Sequence, residues 1–372
     1  MDSHPVFESV PNFSEGSRPN VIAEIAGAAS RAHILDVDAD ADHNRVVISL
    51  AGQRADLLDA LFSSAQAAIE KIDVREHRGV HPRVGAADVI PIVPLGNASP
   101  EAARELALEL GDRIWGELRV PVFFYGHGEA NTLADVRAGR VRPDLGGPEL
   151  HPSAGAACVG ARHLLLAFNV VLADVDLTTA RALARSLRES AGGLRGVQAL
   201  AFELPLGRVQ LSMNLFRLDE TPPSAVLDEL DRRGVAIRSQ HVIGLSPARV
   251  ANPAASGRLL EARVAAAAAR RAAELCAAIG DDEHTRLAAR LEQEADQLAR
   301  LGVAQDELLA GAERSAALGP VFKAAGVLGH ELEALLDIAA RGLRSALDLE
   351  TKTKYSARTE ALDRRLGTTA ND

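Results

Sequence analysis

The chain has 372 residues, 47% hydrophobic and 25% charged, enough for two or three compact units with cores of their own. A formal net charge of −10 excludes a general nucleic-acid or membrane-surface binder, because polyanions would repel it, yet leaves room for a local basic pocket for a small anion. Cys158 and Cys276 are too few for a disulfide framework or a thiolate metal site, no apolar run reaches the ~18 residues that span a bilayer, and MDSHPVFESVPNF has no basic region leading into an apolar core, so a soluble, cytoplasmic protein without a signal peptide is expected.

Two hydrophobic periods alternate along the first ~250 residues. Residues 6–10 (VFESV) read as a strand closed by Pro11 and Asn12, and 19–31 as a helix with Pro19 in its first turn. HILDV (33–37) and RVVISL (45–50) are predicted strands, followed by a helix near 54–72 and a strand at ADVIPIV (87–93), where Pro91 points to an edge or a bulge. Ser99 and Pro100 begin a helix with cap chemistry, and Glu101 suits its positive end. VPVFFY (120–125) is a further strand.

The order then repeats without the sequence repeating. HLLLAFNVVL (163–172) reads as a strand and 176–193 as a helix stopped by two glycines. VQALAFEL (197–204) and RVQLSMNL (208–215) form a hairpin, 222–234 a helix, and VAIRSQHVIGL (235–245) a last extended segment. The expected fold class is α+β, with two tandem ferredoxin-like βαββαβ subdomains over 1–155 and 156–255. Their sheets would stack to leave a cleft for a ligand. An alanine-rich helical extension of about four helices follows over 256–365, for packing or oligomerisation or as a degenerate enzymatic bundle, and the GTTAND tail is expected to lack order.

Chemistry concentrates in GVHPRVGAADVIPIVP (79–94). Pro82 disfavours a helical conformation at His81, so the imidazole sits on extended backbone before a buried strand, and histidine exchanges protons near neutral pH. Taken alone, a loop histidine is more often a surface or packing residue. His77 and His81 are four apart, but Gly79 and Pro82 oppose the helix that would make them a metal pair, so no metal is expected. LDVDADADHNR (35–45) places Asp36, Asp38, Asp40 and Asp42 after a strand without the glycine and distant glutamate of a calcium loop. It reads as an acidic turn, with Asp38 as a candidate partner for a cationic amidine. Arg162 has the planar fork that suits a carboxylate.

In this order, SVPNFSEGS (9–17), LDVDADADHNR (35–45), GVHPRVGAADVIPIVP (79–94), VPVFFYG (120–126), GARHLLLAFNVVL (160–172), RESAGG (188–193), RVQLSMNL (208–215) and IGLSP (243–247) resemble the formiminotransferase domain of glutamate formiminotransferase and formiminotransferase-cyclodeaminase, across nearly all of residues 5–250. The resemblance implies two α/β subdomains with stacked sheets and a ligand tunnel, in a homodimer. It implies transfer of a formimino group from N-formimino-L-glutamate to N5 of tetrahydrofolate in histidine degradation and one-carbon metabolism. His81 falls on the catalytic histidine, as general acid and base. The folate-contacting stretch falls on Gly160, Ala161, Arg162, His163, Leu164, Leu165, Leu166, Ala167, Phe168 and Asn169. Asp38, Asn44, Arg45 and Arg162 form the expected substrate-binding set: Asp38 for the cationic formimino group, Arg162 and Arg45 for carboxylates. The implied partners are the small-molecule donor and folate, with no metal, nucleic acid or membrane.

The chain departs from the family pattern at Ser9, commonly cysteine, at His163, often lysine, and at Val171, often asparagine. Residues 258–372 are short for a cyclodeaminase domain. A transferase with another formimino donor and a non-catalytic folate binder are the competing readings; the HPR triplet favours an enzyme.

Overall fold

A computed structural model describes residues 5–80 and 82–368. The first sheet is built from β1 (Val6–Ser9), β2 (Asn12–Phe13), β3 (His33–Asp40), β4 (Arg45–Gln53), β5 (Ala87–Leu95), β6 (Val122–Gly126) and β7 (Ala157–Ala161). α1 (Pro19–Ala28), α2 (Arg54–Lys71), α3 (Pro100–Arg113) and α4 (Leu133–Arg137) intervene. β3 borders β4; β1 and β2, two pieces of one broken strand, lie between β4 and β5; and β7 runs parallel between β5 and β6.

Strand alternation gives this sheet two unlike faces. Phe7, Phe13, Val46, Ile48, Leu50, Ile90, Ile92, Val122, Phe124 and Val159 point one way and bury against Val21 and Ile25 of α1, Leu57 and Leu61 of α2, and Leu106 and Leu110 of α3. Ser99 caps α3 as its sequence predicts, accepting from Ala102 N at 3.1 Å. The intervening residues make the opposite face: Val89, Phe123, Tyr125 and Cys158 pack together at one side, and Glu8, Asn12 and Arg45 alternate with the core residues of their own strands.

The second sheet holds β8 (Leu166–Leu172), β9 (Val197–Leu204), β10 (Arg208–Leu215) and β11 (Ile237–Ile243), in the order β11-β8-β10-β9, with α5 (Leu177–Leu187) and α6 (Pro223–Arg232) in the connections. Strand, helix, strand, strand, helix, strand is the element order of this segment and of β1 to β5 alike. Six helices follow: α7 (Leu260–Ile279), α8 (Asp282–Ala299), α9 (Gln305–Ala324), α10 (His330–Ser345), α11 (Leu349–Lys354) and α12 (Ser356–Leu366). The alanines of α7 are small enough to let α8 and α10 approach closely, and a two-pronged Arg344–Asp363 pair, both contacts 2.8 Å, joins α10 to α12. The chain divides into two compact units, Met1–Leu165 with Val171–Ser186 and Ala199–Ser212, and Leu166–Val170 with Leu187–Gln198 and Met213–Asp372. No helix among the described residues is long and apolar enough to cross a membrane.

Three expectations need correction. The four helices expected as far as ~350 are α7 to α10, and the short α11 and α12 follow them. The strand expected at 163–172 starts at Leu166, and a separate strand, β7, precedes it. The strand expected at 33–37 continues to Asp40, so Asp36, Asp38 and Asp40 are strand residues, while Asp42 lies in the turn that follows. Pro91 lies in an interior strand, not at an edge. Ser9 pairs with Ile92 and Asn12 with Val89, so Pro91 faces the break between β1 and β2, where no ladder donor is required. Its carbonyl still accepts from Ser9 Oγ at 2.6 Å.

Gly85 is where the loop after α2 touches the loop before β7. A Cβ there would meet the carbonyl oxygens of Ala156 at 2.1 Å and Ala154 at 2.5 Å. Both are backbone atoms and cannot swing aside, so Gly85→Ala should cost about 3 kcal/mol, read as a lower urea midpoint at unchanged m-value.

Candidate functional site

Three of the sequence segments singled out above converge on the polar face of the first sheet. Opposite β2, Asn12 pairs with Val89 and Phe13 with Ala87, which leaves Asp88 as an extra residue in β5. This bulge turns a carboxylate that strict alternation would place among the helices toward the other face. Asp88 is fully buried. Its Oδ2 accepts from Arg45 Nη1 at 2.9 Å, its Oδ1 accepts from Val84 N at 2.5 Å, and Gly85 N lies at 3.4 Å. Arg45 Nε also donates to Asn12 Oδ1 at 2.8 Å. One carboxylate thereby ties 9–17, 35–45 and 79–94 together.

The described residues on either side of position 81 are fastened to neighbouring segments. Asn44, left-handed at φ 46°, accepts from Gly16 N at 2.8 Å and donates from Nδ2 to Arg78 O at 2.9 Å. His77 Nε2 donates to Asn44 O at 2.8 Å; burial lowers the pKa of this ring, which keeps it neutral. Beyond that position, Ala86 N donates to Ala154 O at 2.9 Å and Ser14 Oγ to Gly85 O at 2.7 Å. Gly16 fits because a Cβ there would strike Asp40 O at 2.2 Å. His81, the expected acid–base residue, lies outside the described residues.

The aspartate row has two destinations. Asp36, Asp38 and Asp40 pair with Ser49, Val47 and Arg45 of β4, which puts all three on the polar face, Asp38 half-buried. Asp40 Oδ2 is 2.8 Å from His43 Nδ1, and the buried His43 ring stands edge-on to Phe202, 5.9 Å between centroids, with Nε2 3.4 Å from Gln210 Nε2. Asp42 accepts from Arg208 at 2.9 Å. Asp40 and Asp42 therefore join the β3–β4 loop to the β9–β10 hairpin. Among the described residues no group of three or more His, Cys, Asp or Glu could hold a metal ion.

The stretch Gly160–Asn169 runs from the end of β7 into β8. Gly160 permits close packing of β7 on β6, since a Cβ would meet Tyr125 O at 1.9 Å. Arg162 follows β7 and donates to His163 O at 3.0 Å, while its guanidinium lies near Tyr125 and Glu8. His163 is exposed, Leu164 and Leu165 are half-buried, Leu166, Phe168 and Asn169 are buried in β8, and Val171, where the family often has asparagine, is buried as well.

Composition and motif reading missed three side chains. Asp88 was hidden by the bulge. Tyr125, in the expected strand, is 6% exposed, and its hydroxyl has no hydrogen-bond partner among the described residues. Burial pushes the phenol's pKa up, with Arg162 and Arg137 pulling the other way, so it remains a neutral donor. Arg137 ends α4, a single turn held by a capping box between Thr132 and Asp135, with Val136 packed beside Tyr125. Burial and the repulsion of Arg137 and Arg83 lower the pKa of Arg45 against the pull of Asp88, so three guanidiniums share the field of one carboxylate. This corner of the face is locally positive, as a small anion needs, in a chain whose net charge is negative.

A model of the formiminotransferase domain, N-terminal subdomain, matches residues 6–162. The chain is similar to the glutamate formimidoyltransferase of Thermoplasma acidophilum, 37% identical over 266 residues covering 64% of this chain and 88% of that protein. It is also similar to the glutamate formimidoyltransferase of Streptococcus pyogenes serotype M1, 34% identical over 66% of this chain and 90% of that one. The formimidoyltransferase-cyclodeaminase of Gallus gallus is 35% identical over 64% of this chain but only 50% of its own length.

Glu15 gives an acid-stability test of the SVPNFSEGS segment. Its buried carboxylate accepts from Ser17 N and Arg18 N, each at 2.8 Å, and from Arg18 Nε at 2.5 Å. Burial alone would raise its pKa, but these bonds outweigh it and the net shift is downward. A depressed carboxyl stabilises the fold above its unfolded pKa and loses that contribution as pH falls through its folded pKa. Glu15→Gln should cost about 2 kcal/mol at pH 7. The gap from the native protein should close as urea titrations are moved below about pH 4.5.

Proposed function

This chain belongs to the formiminotransferase family, and from that premise we propose that it is a tetrahydrofolate-dependent transferase moving the formimino group of N-formimino-L-glutamate to N5 of the folate, with release of glutamate. The observation that carries this reading is the 37% identity to a protein named glutamate formimidoyltransferase over 88% of its length. The meeting of the 9–17, 35–45 and 79–94 segments on one polar face supports it. The shared element order of the two sheets supports reading both as ferredoxin-like modules. A cytoplasmic homodimer completes the proposal.

Tetrahydrofolate, when bound, supplies N5 as the accepting amine. The exchange forms one C–N bond and breaks another, so a proton leaves the accepting nitrogen and one must reach the departing glutamate nitrogen. His81 takes the first and delivers the second, general acid–base work that contributes typically about 10²–10⁴-fold. The clamps at Asn44 and Asp88 on either side of residues 80–83 suit a group that must hold its place to serve both nitrogens. Asp38 faces the cationic formimino group, Arg45 and Asn44 hold the segments that frame it, and Arg162 takes a carboxylate through its fork. The folate lies along Gly160–Asn169.

His81→Ala should reduce kcat by about 10³-fold in a coupled absorbance assay with formiminoglutamate and tetrahydrofolate, with unchanged circular dichroism. Folate binding without turnover by the native chain would leave only the non-catalytic reading or another donor. Arg162→Gln should raise a substrate KM about tenfold while kcat stays within about threefold, the pattern of lost uniform binding.

A further inference from the structure

Arg137 Nε and the Tyr125 hydroxyl, alongside Ser49 Oγ, are buried polar atoms on the first sheet's polar face left without a partner among the described residues. Arg137 comes no closer to Asp88 than 3.7 Å, outside hydrogen-bond reach, and its Nε is buried with no partner among the described residues. The hydrogen bonds of Asp88 go instead to Arg45 and the Val84 amide. The Tyr125 hydroxyl is a further such group: Arg162 beside it can only donate, so the phenol's own proton still lacks an acceptor. Leaving a buried donor unsatisfied costs free energy, and such a group is retained where a ligand completes it. A guanidinium can only donate and the phenol's proton needs an acceptor, so the missing partner is an acceptor, and the charges of Arg137 and Arg162 at this corner suit an anionic one.

We propose that Arg137 and Tyr125 form a carboxylate-binding subsite on the polar face of the first sheet, filled by a carboxylate of one of the two substrates. Naming those substrates rests on the transferase reading; the existence of the subsite does not. Arg137 offers the oxygen its charge and planar fork, Tyr125 adds a hydroxyl donor, and Arg162 lends its field from the end of β7. The capped turn of α4 fixes Arg137, because Val136 anchors that turn in the cluster that holds the Tyr125 ring.

Isothermal titration with one ligand at a time, so that no turnover occurs, tests this on the full chain. Arg137→Gln and Tyr125→Phe should each weaken binding about tenfold or more. An effect on N-formimino-L-glutamate alone identifies the donor as the source of the carboxylate; an effect on tetrahydrofolate alone identifies the folate's glutamate tail. Tyr125→Phe removes only an unsatisfied hydroxyl, so the unfolding midpoint of the ligand-free protein should rise, which guards against misfolding as an explanation. Unchanged affinity for both ligands in both variants, no saturable binding of either by the native chain, or a lowered midpoint for Tyr125→Phe with binding intact would each overturn the subsite. Ligand binding that depends on Arg137, in a chain that fails to transfer formimino groups, would sink the transferase reading and leave the subsite standing.

Discussion

Asp88 holds a carboxyl group wholly out of contact with solvent, and the polar face is arranged around satisfying it. Burying an uncompensated carboxylate costs several kcal/mol, and a β-bulge turns the residue to where Arg45 and a loop amide meet it. Because Arg45 also reaches Asn12, the ion pair is the joint of three sequence-distant segments rather than a local contact. Residues 79–80 and 82–86 have little regular structure of their own and are held by this joint and by the Asn44 bridge.

The sheet divides its duties by face. One side is a conventional helix-packed core of Phe, Ile, Leu and Val. The other joins a small apolar cluster around Val89, Phe123, Tyr125 and Cys158 to acids and arginines that need partners. Period-two alternation lets both coexist on the same strands: each residue that completes the core spaces a polar neighbour onto the opposite surface. Stability comes from one side while the other keeps groups that are imperfectly satisfied, the usual arrangement where a protein must bind something.

Much of this was legible in the residues. The strands and helices of residues 6–95 and the 197–215 hairpin follow their hydrophobic periods, and the Ser99 cap performs as its chemistry predicts. What escaped did so for physical reasons. β7 is built from AACVGA-type small residues and is buried on both sides, so it shows neither bulk nor alternation. The alternating aspartates of β3 were themselves a strand period, disguised by a residue type with low strand propensity. The bulge at Asp88 depends on the register of a partner strand seventy-odd residues away, and no local pattern contains it. Arg137 sits in a stretch with no hydrophobic period, where only the capping pair Thr132 and Asp135 marks a turn of helix.

The tie between Asp42 and Arg208, 166 positions apart, has a bearing on how the chain matures. At about 5–20 residues per second of synthesis, the β3–β4 loop waits roughly 8–33 s for the hairpin that covers it. During that interval the ring of His43, with Gln210 and Phe202 still untranslated, has water where its neighbours will be. The nascent amino-terminal half can assemble its helix-packed core early, whereas the acidic corner is finished late, after the hairpin of β9 and β10 has left the ribosome.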